Sequence, residues 1–209
     1  MSAGAATVAG IDVGGEKKGF HAVVLRKRQV AGTLSACTAA EVVAWCRALG
    51  ASAVGIDAPC QWSLTGRART CERNLARMGV TAFATPRQAI GNAHPFYRWM
   101  VNGIELYKNF VAKYRLYDGK SSLNGEPFCF ETFPQAIACR LSGEKLSAKY
   151  KRADRRRVLH EAGITSDALM NIDEVDAALC ALAAQYVLAG RFTSHGDAAE
   201  GFILLPLTA

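Results

Sequence analysis

The chain has 209 residues, 50% of them hydrophobic and 21% charged, with a formal net charge of +7. That apolar share supports a sizeable core and excludes wholesale disorder; the length fits one large domain or two small ones, at about 150 residues each. No apolar run approaches the ~18 residues that span a bilayer, and Met1-Ser2-Ala3-Gly4-Ala5-Ala6 puts no basic residue ahead of an apolar stretch, so neither a membrane partner nor a secretory leader is expected and a cytoplasmic setting is the default.

Thr7–Val13 is β-branched and apolar and is stopped by Gly14-Gly15, which predicts a strand. Phe20–Leu25 and Val30–Leu34 follow as a second strand and a weak third, together an antiparallel meander. Thr38 is placed to cap a helix running to Leu49, whose Val42, Val43, Trp45, Cys46 and Leu49 form one apolar stripe. Ala53–Ile56 predicts a short buried strand ending in Asp57-Ala58-Pro59, because Pro59 has no N–H for a ladder bond. Residues 61–126 turn basic and aromatic. Helical stretches near Arg69–Arg77 and Pro95–Tyr117 alternate there with loops, which predicts an insertion over one end of the sheet within a single domain of 1–209. Phe128–Thr132 returns to strand, a helix enters at Pro134, and a basic helix covers Arg152–Ala162 until Gly163. Asp173–Ala189 predicts the best helix, with Ile172, Val175, Leu179, Leu182 and Tyr186 on one face, and Gly201–Leu205 a closing strand. This order is α/β, with a parallel part after the first crossover.

Acids recur at one place in that order. Asp12 ends the first strand and Asp57 the strand after the first crossover. If those strands are parallel neighbours, both carboxylates lie at the sheet edge where open α/β folds bind ligands. Glu131 ends another strand, and Asp173 and Asp176, three apart, share one side of the last helix. Buried carboxylates without partners are costly and repel one another. A hard divalent cation, Mg²⁺ or Mn²⁺, relieves both costs, and two such ions suit phosphodiester hydrolysis. Each acid has a plainer reading beside this one. Asp12 before Gly-Gly suits a turn, Asp57 a loop cap, Glu131 a cap for the helix at Pro134, and Asp173 an N-terminal cap. Asp176 is harder to explain in this way, because its neighbours on the helix are apolar.

The positive charge is clustered. Arg67, Arg69, Arg73, Arg77, Arg87 and Arg98 crowd the middle, and Lys145, Lys149, Lys151, Arg152, Arg155, Arg156 and Arg157 form a second group. Such surfaces attract polyphosphates, nucleic acid above all, although a solvated helix face is equally consistent. The seven cysteines are odd in number and hold no Cys-x-x-Cys pair, which predicts reduced thiols without structural zinc or disulfides. The four histidines show no ligand spacing and Gly14-Gly15 is not a phosphate loop; Lys17 and Lys18 after it suit a phosphate contact or a solvated turn equally.

Five motifs stand in order: Gly10-Ile11-Asp12-Val13-Gly14-Gly15, Gly55-Ile56-Asp57-Ala58-Pro59, Glu131-Thr132-Phe133-Pro134, Asp173-Glu174-Val175-Asp176-Ala177-Ala178-Leu179 and Glu200-Gly201-Phe202-Ile203-Leu204-Leu205-Pro206. With Arg69-Thr70-Cys71-Glu72-Arg73, Phe83-Ala84-Thr85-Pro86-Arg87 and the basic run from Lys149 to Leu159, they resemble an uncharacterised predicted-nuclease family with an RNase H fold (domain of unknown function 429). The resemblance spans nearly the whole chain. It implies an RNase H-like mixed sheet of five to six strands flanked by helices, and a metal-dependent nuclease site. In that site Asp12 resembles the first-strand aspartate, Asp57 the acid of the fourth strand, and the Asp173–Asp176 run the last-helix acids of Holliday-junction resolvases.

The expected activity is therefore hydrolysis of nucleic acid. Asp12, Asp57, Asp173 and Asp176 would hold metal, with Asp12, Asp57, Glu131 and Asp176 catalytic. Arg69, Arg73, Arg87, Lys149, Lys151 and Arg155 would meet phosphates, and insertion aromatics would stack on unpaired bases. A non-catalytic nucleic-acid-binding module is the first alternative. A small-molecule phosphotransferase of the actin or sugar-kinase type is the second, against which stand the short length and the missing second glycine-rich turn.

Overall fold

A computed structural model describes residues 6–208; residues 1–5, on which the leader expectation mainly rests, lie outside them. The chain opens with β1 (Thr7–Val13), β2 (Phe20–Arg26), β3 (Gln29–Ala36), α1 (Ala39–Ala48) and β4 (Ala53–Asp57). It continues with α2 (Thr70–Arg77), α3 (Gln88–Ala93), a 3-10 turn (Pro95–Tyr97), α4 (Arg98–Phe110), β5 (Arg115–Leu116), β6 (Phe128–Glu131) and α5 (Pro134–Ser142). After a second 3-10 turn come α6 (Lys151–Glu161), α7 (Ile172–Leu188), β7 (Phe192–Asp197) and β8 (Gly201–Pro206). Thr38 caps α1 as its sequence predicts. The Thr38 hydroxyl accepts from the Glu41 N–H at 3.3 Å and the Glu41 carboxylate accepts from the Thr38 N–H at 3.0 Å, a reciprocal capping box.

All strands join one sheet in the order β3-β2-β1-β4-β6-β8-β7, with β5 also paired to β6. β1, β2 and β3 form an antiparallel meander, and β4, β6 and β8 run parallel to β1. That is the RNase H-like arrangement: an antiparallel meander flanked by parallel strands reached through helical crossovers. The sheet has eight strands, not five or six. The extra ones are short or polar: β5 has two residues within the stretch read as helical to Tyr117, and β7 (FTSHGD) has no apolar alternation to announce it. β7 is an edge strand, half-buried at every position.

Period-2 alternation sends successive β1 residues to opposite faces. Val8 joins Val23, Leu25, Phe128 and Phe130 under α7, α5 and α6. Ala9, Ile11 and Val13 join Val24, Val54 and Ile56 under α1 and α4. The 61–126 stretch contributes to both cores, Cys71 and Leu75 of α2 to the first and Leu106, Tyr107 and Phe110 of α4 to the second. Among the described residues no helix is long and apolar enough to cross a membrane.

Candidate functional site

Asp12 and Asp57 are direct partners in the parallel β1–β4 register, as Gly10 and Gly55 are two residues earlier. By alternation all four face α7. The helix begins where Asn171 caps it, its side chain accepting from the Glu174 N–H at 2.8 Å. Glu174 in turn accepts from the Met170 N–H at 2.6 Å, closing the first turn. Asp176 lies one turn in and is 5% exposed. Asp12, Asp57, Asp173 and Asp176 line one cleft of about 470 Å³, together with Lys151, Arg155, Phe83, Trp99 and Phe133.

Burial dominates the electrostatics of this cleft. It pushes the Asp12 carboxyl up to about 8, reinforced by the charges of Asp176 and Asp173 and opposed by Lys18 and Arg155. Burial, then Asp12 and Asp176, holds Asp57 well above the usual carboxylate range. Asp176 is also raised by burial, against the pull of Arg155. Two basic side chains partly compensate. The Arg155 guanidinium donates to Asp176 and, at 3.1 Å, to the Gln135 side-chain oxygen. Lys18, from the turn after β1, donates to both oxygens of Asp173 at 3.0 and 2.9 Å. That turn is tied to α4 by the Asn102 amide, which donates to the Gly14 carbonyl at 2.9 Å.

The donor set is chemically right for a hard cation: half-buried Asp12, Asp57 and Asp173 beside the buried Asp176, all carboxylates whose charges repel. Among the described residues, however, no three or more His, Cys, Asp or Glu side chains are arranged closely enough to hold a metal ion. The two helix acids are held by Arg155 and Lys18 instead.

Three of the expected site residues are engaged within the fold. Glu131 is buried and its carboxylate is fully engaged. It accepts from both terminal nitrogens of Arg69 and from the Cys60 N–H at 2.9 Å, so it braces the segment after β4 and is not a free ligand. Arg69 is 1% exposed and also bonds Glu72 at 2.9 Å, so it cannot receive a surface phosphate. Arg155 is buried as well, a counter-ion inside the cleft and not part of an open basic face. The exposed members of the basic set are Arg73, Arg87, Lys149 and Lys151, of which Lys151 reaches the cleft. Gln135 and the pairing of Lys18 had no local signal. Lys18 and Asp173 are 155 residues apart in the chain, and only the fold brings them together.

No curated protein matches the sequence. The fold is similar to the Thermus thermophilus RuvC structure at 17% identity, covering 88% of this chain and 96% of that one, with a TM-score of 0.47. Residues 10–201 match the family described as "Protein of unknown function (DUF429)", and the chain belongs to that family.

Proposed function

We propose that the protein is a divalent-metal-dependent nuclease, hydrolysing a nucleic-acid phosphodiester at the Asp12–Asp57–Asp176 cleft. One observation carries this reading: Asp12 and Asp57 stand side by side at parallel strand ends, and α7 delivers the buried Asp176 to the same cleft. Carboxyls of raised proton affinity gathered in one cleft support a functional site there. Asp12, Asp57 and Asp176 would hold Mg²⁺ or Mn²⁺, and Asp173 would hold a second ion or orient the water. The bound ions would supply a water acidified enough to attack and charge to stabilise the leaving oxygen. Arg155, paired with Asp176, would hold that carboxylate in place at the cleft. Lys151, exposed at the cleft, would meet the flanking backbone.

The test is cleavage of single-stranded, duplex, branched and RNA substrates with Mg²⁺, Mn²⁺ or chelator, with Asp12→Asn and Asp176→Asn in parallel. Cleavage should need metal. Each variant should lose more than the roughly 10–100-fold that removing an outer partner of a metal site costs. No cleavage with either ion, or undiminished cleavage by both variants, would falsify the proposal. The Arg155–Asp176 and Lys18–Asp173 pairs favour a second reading, in which the acids are neutralised within the fold and the chain binds nucleic acid without cutting it. Salt-sensitive binding with no turnover in any metal would support that one.

A further inference from the structure

The rim of the acid cleft leaves aromatic surface uncovered. Phe83, between α2 and α3, lines the cleft with Asp12 and Asp57 and is still 65% exposed. Its ring meets Phe96 edge to face at 5.3 Å, and Phe96, 48% exposed, meets Tyr97 in the same way at 5.1 Å. The backbone beneath is held firmly. Two residues beyond Phe83 the buried Thr85 donates its N–H to Glu72 at 3.1 Å, and the Phe96 N–H donates to His94 Nδ1 at 3.1 Å. Fixed rings in open water are unfavourable unless something covers them, and such patches mark binding surfaces. Positive charge stands beside the shelf: the exposed Lys151 lines the same cleft as Phe83.

Open aromatic faces beside cations match an unpaired polynucleotide, whose bases stack on rings while its phosphates meet the cations. A continuous duplex keeps its base faces inside its own stack and offers the rings nothing. We infer that the Phe83–Phe96 shelf stacks unpaired nucleobases, so that the cleft takes a single strand or the unpaired segment of a branched nucleic acid. The inference rests on the nucleic-acid reading above and narrows its substrate class.

Binding of the full chain in chelator, where the proposed reaction cannot proceed, tests it by fluorescence anisotropy. The probes are oligo-dT, oligo-rU and a blunt duplex of equal length. One of the single strands should bind at least about 10-fold tighter than the duplex, and the two arms separate DNA from RNA. Phe83→Ala and Phe96→Ala should each weaken that binding by roughly 5- to 150-fold, the range for losing one base stack, with unchanged melting temperature, and Phe83→Tyr should retain it. Equal affinity for duplex, or unweakened single-strand binding by both alanine variants, overturns the shelf. So does loss of self-association as the sole effect of those variants, which would place a second copy of the chain on the rings. Cleavage with Mn²⁺ separates the two claims: duplex cleavage unaffected by Phe83→Ala removes the shelf and leaves the hydrolase, whereas stacking without cleavage in any metal does the reverse.

Discussion

Asp12 illustrates how far one carboxyl can be displaced by its surroundings. Burial, then Asp176 and Asp173, lift it to about 8, against about 3.9 for an aspartate in an unfolded chain. Between those values the native state keeps a proton that the unfolded chain has released. Stability therefore falls as pH rises through that window and levels off above about pH 8. Asp57 is displaced in the same direction. In chelator, Asp12→Asn should leave the melting temperature almost unchanged near the acid end of the window and raise it at the alkaline end. About 2–4 °C is expected for each kcal/mol recovered in a chain of this length. Parallel melting-temperature profiles for wild type and variant would sink the assignment. Protons and the proposed metal would compete for the same oxygens, so a Mn²⁺-induced rise in melting temperature should grow as pH increases.

At the scale of elements, the site depends on how closely α7 lies on the sheet. A Cβ on Gly10 would sit 2.0 Å from the Ala177 carbonyl oxygen and 2.1 Å from the Ala181 nitrogen, and one on Gly55 would sit 2.5 Å from the Cys180 carbonyl oxygen. Helix backbone rests directly on these paired glycines, and that contact sets Asp176 over Asp12 and Asp57. Gly10→Ala has to lift the helix. It should cost about 1–3 kcal/mol or more, as overpacking does, and should impair metal-dependent activity beyond the loss of stability by carrying Asp176 away. Gly15→Ala, with nothing within 4 Å of its added Cβ, is the matched control and should change neither. Denaturant melts and cleavage rates of the two variants decide this; indistinguishable behaviour would refute the contact's role. The sequence carried no hint of it, since Gly10 and Gly55 read as ordinary residues of apolar strands. The helix itself and its inward Asp176 were legible from the 3.6-residue period.

For the whole molecule, the formal charge of +7 acts through where the cations stand. On the proposed function, cations at the surface would meet a polyanion and release its counterions, and those committed within the protein would not. The affinity for single strands should therefore fall steeply with salt. Lys151→Ala should reduce the slope of log K against log salt by about 0.7, the single-strand value for one phosphate contact. An unchanged slope would remove Lys151 from the binding surface.

Local pattern was enough for the meander, the longer helices but not the six-residue α3, the strand-end positions of Asp12 and Asp57 and the cap at Thr38, because period-2 and 3.6-residue spacing and capping chemistry act over a few residues. β5 and β7 escaped because one is two residues long and the other is polar throughout. The partner of each charge was a different matter. Arg69 and Glu131 are 62 residues apart, Arg155 and Asp176 are 21, and Lys18 and Asp173 are 155. The sequence by itself determined which acids and bases the chain carries and at which ends of its elements they stand. Only the tertiary structure decided that Glu131 and Arg69 neutralise one another inside the fold while Asp12, Asp57 and Asp176 share a cleft. A charge pairs with whatever the packed backbone brings within a few ångströms, and that distance is set by helix on sheet, not by neighbours in the chain.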